Sequence, residues 1–145
     1  MLNPSADNKK TKINYTIEEI QDFIIIEIDL LKMINKLIRS ILAGISIALG
    51  AVIYLLCSNK IVGALFFSIG ILLVMEFKLL LYTGYVPTQR ESQSFKDYLI
   101  NSTFVFIGNL IGGALTAALL SLTRLKDQIY QATTAVCEVK LNDSL

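Results

Sequence analysis

Apolar residues along this chain come in long runs, not in the short alternations of a soluble core. Ser40 to Cys57 (SILAGISIALGAVIYLLC) holds 18 residues without a charge, about the minimum that crosses a ~30 Å hydrocarbon layer at ~1.5 Å per residue. It reads as a first spanning helix. Tyr98 to Thr123 holds 26 uncharged residues between Asp97 and Arg124 and reads as another. The run between them is different: Ile61 to Met75 gives only 15 uncharged residues before Glu76 and Lys78. Apolar Leu79 to Tyr82 follow, then Thr83-Gly84-Tyr85 and Pro87. This pattern predicts a broken spanning helix with its turn near Tyr82 to Gly84, because unwound backbone is tolerated there only where protein or a watery cavity satisfies its polar groups. Glu76 and Lys78 are two positions apart, so they do not face each other on a helix, and each needs its own partner.

Upstream of these runs, residues 1–15 carry Lys9, Lys10 and Lys12 but no apolar stretch. They read as a disordered tail and not as a signal peptide. Thr16 with Glu19 matches a capping box, which predicts an amphipathic interfacial helix over 16–39. At 100° per residue Glu18, Asp22, Asp29, Lys32, Lys36 and Arg39 share one face, with Ile20, Phe23, Ile24, Leu31 and Ile38 mostly elsewhere. Residues 40–123 then form the transmembrane region, and 124–145 a connector and tail.

Small residues recur inside the spanning runs. Ser40, Gly44 and Ala48 are spaced by four, as are Gly108 and Gly112, and such faces let helix backbones approach closely. Asn109, within the second of these, needs a hydrogen-bond partner and so faces protein or a cavity.

Composition narrows the chemistry. The chain is 54 % hydrophobic and 17 % charged, with a mean hydropathy of +0.60, which places it in a membrane. It has no histidine, which removes imidazole nucleophile pairs, His-metal sites and histidine switches. No carboxylate pair or phosphate-binding glycine loop stands out either, so no enzymatic activity, cofactor or metal is expected. A balance of 13 basic and 12 acidic residues, scattered along the chain, gives no basic stripe for nucleic acid. Cys57 and Cys137 form no metal or redox spacing and read as packing residues.

Three stretches together resemble the formate/nitrite transporter family, over roughly residues 38–141. They are ILAGISIALGA (41–51), GILLVMEFKLLLYTG (70–84) and GNLIGG (108–113), in the places of the family's first-helix AG-x-x-I-x-x-G-A pattern, its broken second helix ending in L-F-T-G, and its third-helix G-N-x-x-G. The resemblance implies an aquaporin-shaped channel of six spanning helices in two inverted triplets, assembled as a ring and passing formate, nitrite or hydrosulfide. This chain departs from the pattern at Lys78-Leu79-Leu80, where the family commonly has G-A-E. By this comparison the chain ends where a second triplet would begin, and the family's pore histidine would belong to that other half.

The expectation is therefore an all-α integral membrane protein: an aquaporin-like half-repeat of three transmembrane helices, the second broken, plus an N-terminal amphipathic helix. Two copies inserted in opposite orientations, a separately encoded second half, or an inactive remnant would each account for the length. The expected partners are the lipid bilayer, small anions, and a second copy or second half-transporter chain, with no nucleic acid. Basic flanks favour a multi-pass protein of the cell membrane with a cytoplasmic N-terminus: Lys32, Lys36, Arg39, Arg90 and Lys96 against Lys60, Arg124 and Lys126. The expected substrate path is Lys78 as anion attractor, Tyr82 as a ring at the constriction, Thr83 as hydroxyl donor, Gly84 as the residue permitting the turn and Asn109 as its brace. Ser40, Gly44, Ala48, Gly108 and Gly112 are expected to pack helices. The rival class is a small non-transport membrane subunit or regulator, for which small-residue faces suffice.

Overall fold

The computed structural model describes residues 4–89 and 94–143, with side chains over 17–88 and 94–143. Among the described residues five α-helices follow one another: α1 (Pro4–Leu56), α2 (Lys60–Glu76), α3 (Tyr82–Gln89), α4 (Phe95–Ser121) and α5 (Lys126–Asn142). There is no strand among the described residues. The chain divides into two compact units, Met1–Asn35 and Lys36–Leu145.

In the first unit, helical structure begins at Pro4, so residues 4–15 are not the irregular tail expected from their composition. Proline at the first helical position loses nothing, since its missing N–H would be an orphan there anyway, and no glycine follows before Thr16. The capping box at Thr16 and Glu19 therefore lies inside the helix. Among the described residues of this unit, Phe23, Ile26 and Leu31 are 60–68 % exposed, and Lys32 pairs with Asp29 at 3.1 Å.

In the second unit, α1 and α4 meet along a seam of small residues. A β-carbon on Gly112 would collide with the Ile41 carbonyl oxygen, one on Gly44 with that of Asn109, and one on Gly108 would lie 2.5 Å from Ser40 Cβ. Side chains larger than hydrogen cannot occupy those positions at this helix separation. Ala43, Ser40 and Val105 are fully buried here. Ala48 is half-buried and lines an apolar cleft of about 380 Å³ between α1, α4 and α5. The helix α2 packs on α1 through Gly70, whose added β-carbon would meet the Ser46 carbonyl oxygen at 2.8 Å.

Among the described residues two helices are long and apolar enough to cross a membrane: α1, over Ile17–Leu56, and α4, over Phe95–Ser121. The expected three-span, aquaporin-like half-repeat is thus overturned. The 17 residues of α2 measure about 26 Å, short of the ~30 Å hydrocarbon layer, and carry Lys60 and Glu76 at their ends. The connector expected from Arg124 onward is mostly the helix α5, none of whose residues is buried. Cys137 lies exposed on it, while Cys57 is half-buried, so the packing role expected of both cysteines does not extend to Cys137.

Candidate functional site

The interruption between α2 and α3 is built from the end of α2 outward. Phe77 closes the helix, and Lys78 follows with φ 49°, the left-handed conformation that glycine usually supplies. Lys78 N–H donates to the Met75 carbonyl at 3.1 Å, and Leu79 N–H to the Val74 carbonyl at 2.8 Å. These two bonds make a Schellman motif with Lys78 at its αL position. The chain then runs non-helically through Leu81, and α3 starts at Tyr82.

This places the break several residues before the expected Tyr82–Gly84 turn. Gly84 lies within α3, has no positive φ, and an added β-carbon would meet nothing within 4 Å. Thr-Gly-x-x-Pro therefore opens a short helix here, and the residue at the sharp reversal is Lys78.

Backbone groups freed by the break are taken up by α1 and α4. Asn109 on α4 makes three bonds: its Oδ1 accepts from Tyr82 N–H at 2.9 Å, and its Nδ2 donates to the Leu80 and Ser40 carbonyls, each at 2.8 Å. On α1, the Arg39 guanidinium donates to the Lys78 carbonyl, and the Arg39 carbonyl accepts from Leu80 N–H at 3.3 Å. The bonds to the break replace those that a continuous helix would have made internally, as backbone away from water requires.

Beside the break lies an open cleft of about 570 Å³ whose walls include Lys78, Leu79, Thr83, Gly84 and Tyr85. The structure thus brings Lys78, Thr83 and Gly84 together, with Asn109 behind them. Tyr82 is not on the cleft wall; its ring stands edge-on to Phe106 of α4, with centroids 5.3 Å apart. Glu76 lies by a different surface hollow, with Ile69 and Leu72. Among the described residues neither Glu76 nor Lys78 has an ion-pair partner.

Three residues of this region carry no local sequence signal. Arg39 looks like the charged edge of an apolar run. Lys36 and Tyr85 meet only through folding: Lys36 Nζ lies 3.4 Å from the Tyr85 hydroxyl oxygen and 5.3 Å from its ring centroid, and donates to Asn101 Oδ1 at 2.5 Å. The Tyr98 hydroxyl adds a 3.2 Å bond to the Val86 carbonyl, tying α3 to α4. Among the described residues no cluster of three or more potential metal ligands occurs.

Long apolar helices, a seam of small residues and an interrupted helix held by a polar side chain define a membrane-associated helical protein. Over residues 16–145 the sequence matches the family described as Formate/nitrite transporter, and the chain belongs to that family. The match covers almost the whole chain, and the described residues hold two long apolar helices, so the reading as an N-terminal half with three of six spans does not stand. No curated protein and no solved structure matches significantly.

Proposed function

We propose that this protein is a component of a membrane pathway for small monovalent anions such as formate, nitrite or hydrosulfide, and that the cleft beside the break is where the anion is received. The observation that carries the reading is the hold of Asn109 on the interrupted segment, at the Leu80 carbonyl within it and at Tyr82 N–H where α3 begins. A polar side chain committed to keeping a helix open supports a role for the opened segment. In this reading Lys78 attracts the anion, Thr83 donates a hydroxyl hydrogen bond, Gly84 keeps that wall low, and Asn109 fixes the turn. Tyr82 acts as a ring at the constriction only if further helices bring a wall to its side. The open cleft favours a working unit of more than one chain, either a second copy or another membrane protein. Its place is the cell membrane, as a multi-pass protein with the N-terminus on the cytoplasmic side, and its role is transport, not catalysis.

The test is formate and nitrite uptake into liposomes reconstituted with the full chain, beside labelling of Lys78→Cys by a small charged thiol reagent, with Cys57 and Cys137 replaced by Ser. Uptake above empty liposomes, blocked when the introduced thiol is labelled, supports the reading. Uptake equal to empty liposomes with an unreactive thiol at that position overturns it in favour of a non-transport subunit.

A further inference from the structure

Tyr85 is a cleft-wall residue that is nonetheless only 9 % exposed, and its hydroxyl is in an unusual electrical setting. The Lys36 ammonium donates toward the phenol oxygen at 3.4 Å and lies over the same ring at 5.3 Å. The other group that this ammonium meets is neutral, the Asn101 side-chain oxygen at 2.5 Å, and among the described residues no carboxylate pairs with it. The phenol oxygen thus accepts from a cation, while its own proton meets no acceptor among the described residues. Donation to the oxygen polarises the O–H bond and strengthens any hydrogen bond that the proton then makes. A positive charge behind it favours a negative acceptor in front.

On the same wall, the Thr88 hydroxyl is committed to the Gly84 and Tyr85 carbonyls. Thr83, by contrast, has no side-chain bond among the described residues. Building on the anion-pathway reading above, we propose that Tyr85 donates the hydrogen bond that holds an oxyanion in the cleft, and that Lys36 is the positioning residue that polarises it. The acceptor this pair suits is a carboxylate or nitrite oxygen. Sulfur accepts hydrogen bonds weakly, so the pair selects oxyanions over hydrosulfide.

Formate binding to the purified full chain in nanodiscs, followed by NMR of labelled formate, tests the pair separately from transport. Tyr85→Phe keeps the ring and is expected to weaken binding about tenfold; Lys36→Met is expected to weaken it by a similar factor. Lys36→Arg restores most of the affinity, and the Lys36→Met/Tyr85→Phe double variant is no weaker than Tyr85→Phe alone, as coupled residues require. In uptake assays Tyr85→Phe lowers formate entry more than hydrosulfide entry. Wild-type affinity in both single variants, or additive losses in the double, overturns the pair even if transport is intact. Formate binding that depends on the pair without any uptake overturns the transport reading and leaves the pair standing. Absence of formate binding by the wild-type protein overturns the pair, and the transport reading falls with it only where uptake equals that of empty liposomes.

Discussion

The α1–α4 seam and the α2–α3 interruption hold the same few helices together by opposite means. At the seam, side chains are removed: Gly44, Gly108 and Gly112 let backbone meet backbone. At the interruption, side chains are added: Asn109 and Arg39 reach across to carbonyls and an N–H that have lost their helical partners. Steric fit tolerates no substitution that adds volume, whereas a hydrogen-bonded brace tolerates changes of shape that preserve its donors and acceptors. The seam is therefore a structural constraint on the second unit, and the interruption is a local element that can be loosened by itself.

Breaking the seam gives the largest effect. Gly112→Val places a β-carbon against the Ile41 carbonyl and 2.9 Å from Ile45 N, both backbone, so neither can swing away; a loss of more than ~3 kcal/mol is expected, seen as absence of a folded, monodisperse species in detergent. Asn109→Leu comes next. It strands the Leu80 carbonyl and Tyr82 N–H, for about 2–4 kcal/mol, and hydrogen exchange should accelerate over 78–85 while the α1–α4 seam stays protected. Uniform acceleration through both regions would show that they unfold together and would remove the distinction. Arg39→Leu frees one carbonyl and is expected to cost about 1–2 kcal/mol, read as a lower melting temperature with exchange again confined to the break. The smallest effect has the other sign: Lys78→Gly relieves a left-handed residue that carries a β-carbon, partly offset by the entropy glycine loses on folding. A net gain of under ~1 kcal/mol in thermal stability is expected, together with slower anion uptake if Lys78 attracts the substrate.

How much of this was legible in the sequence differs between the same two regions. Small residues four apart have one economical use in an apolar helix, and Ser40, Gly44, Gly108 and Gly112 could be read directly. Ala48 shares the spacing and lines the apolar cleft that α1 and α4 form with α5. The existence of a break followed from charge, Thr, Gly and Pro after a short run, but its position did not. Glycine and proline mark where helices can end, and here both lie in α3 while a lysine takes the αL position. The span count failed on the same run, whose helix stops at Glu76. At the other end, a capping box permits a helix start without compelling one, so α1 runs through Thr16. An amide amid 26 uncharged residues plainly needs partners. That Lys36 would meet Tyr85, 49 positions away, is decided only by how α1 and α3 pack, and no local pattern carries it.

Among the described residues only Ala43, Val74, Tyr85 and Val105 form a buried apolar core. Unfolding within a lipid environment would therefore transfer little apolar surface into water, and the heat-capacity change that bends an ordinary stability curve would be small. Stability resting on steric fit and hydrogen bonds should then fall nearly linearly on heating and keep rising on cooling, without the low-temperature downturn that a fading hydrophobic effect brings to water-soluble domains.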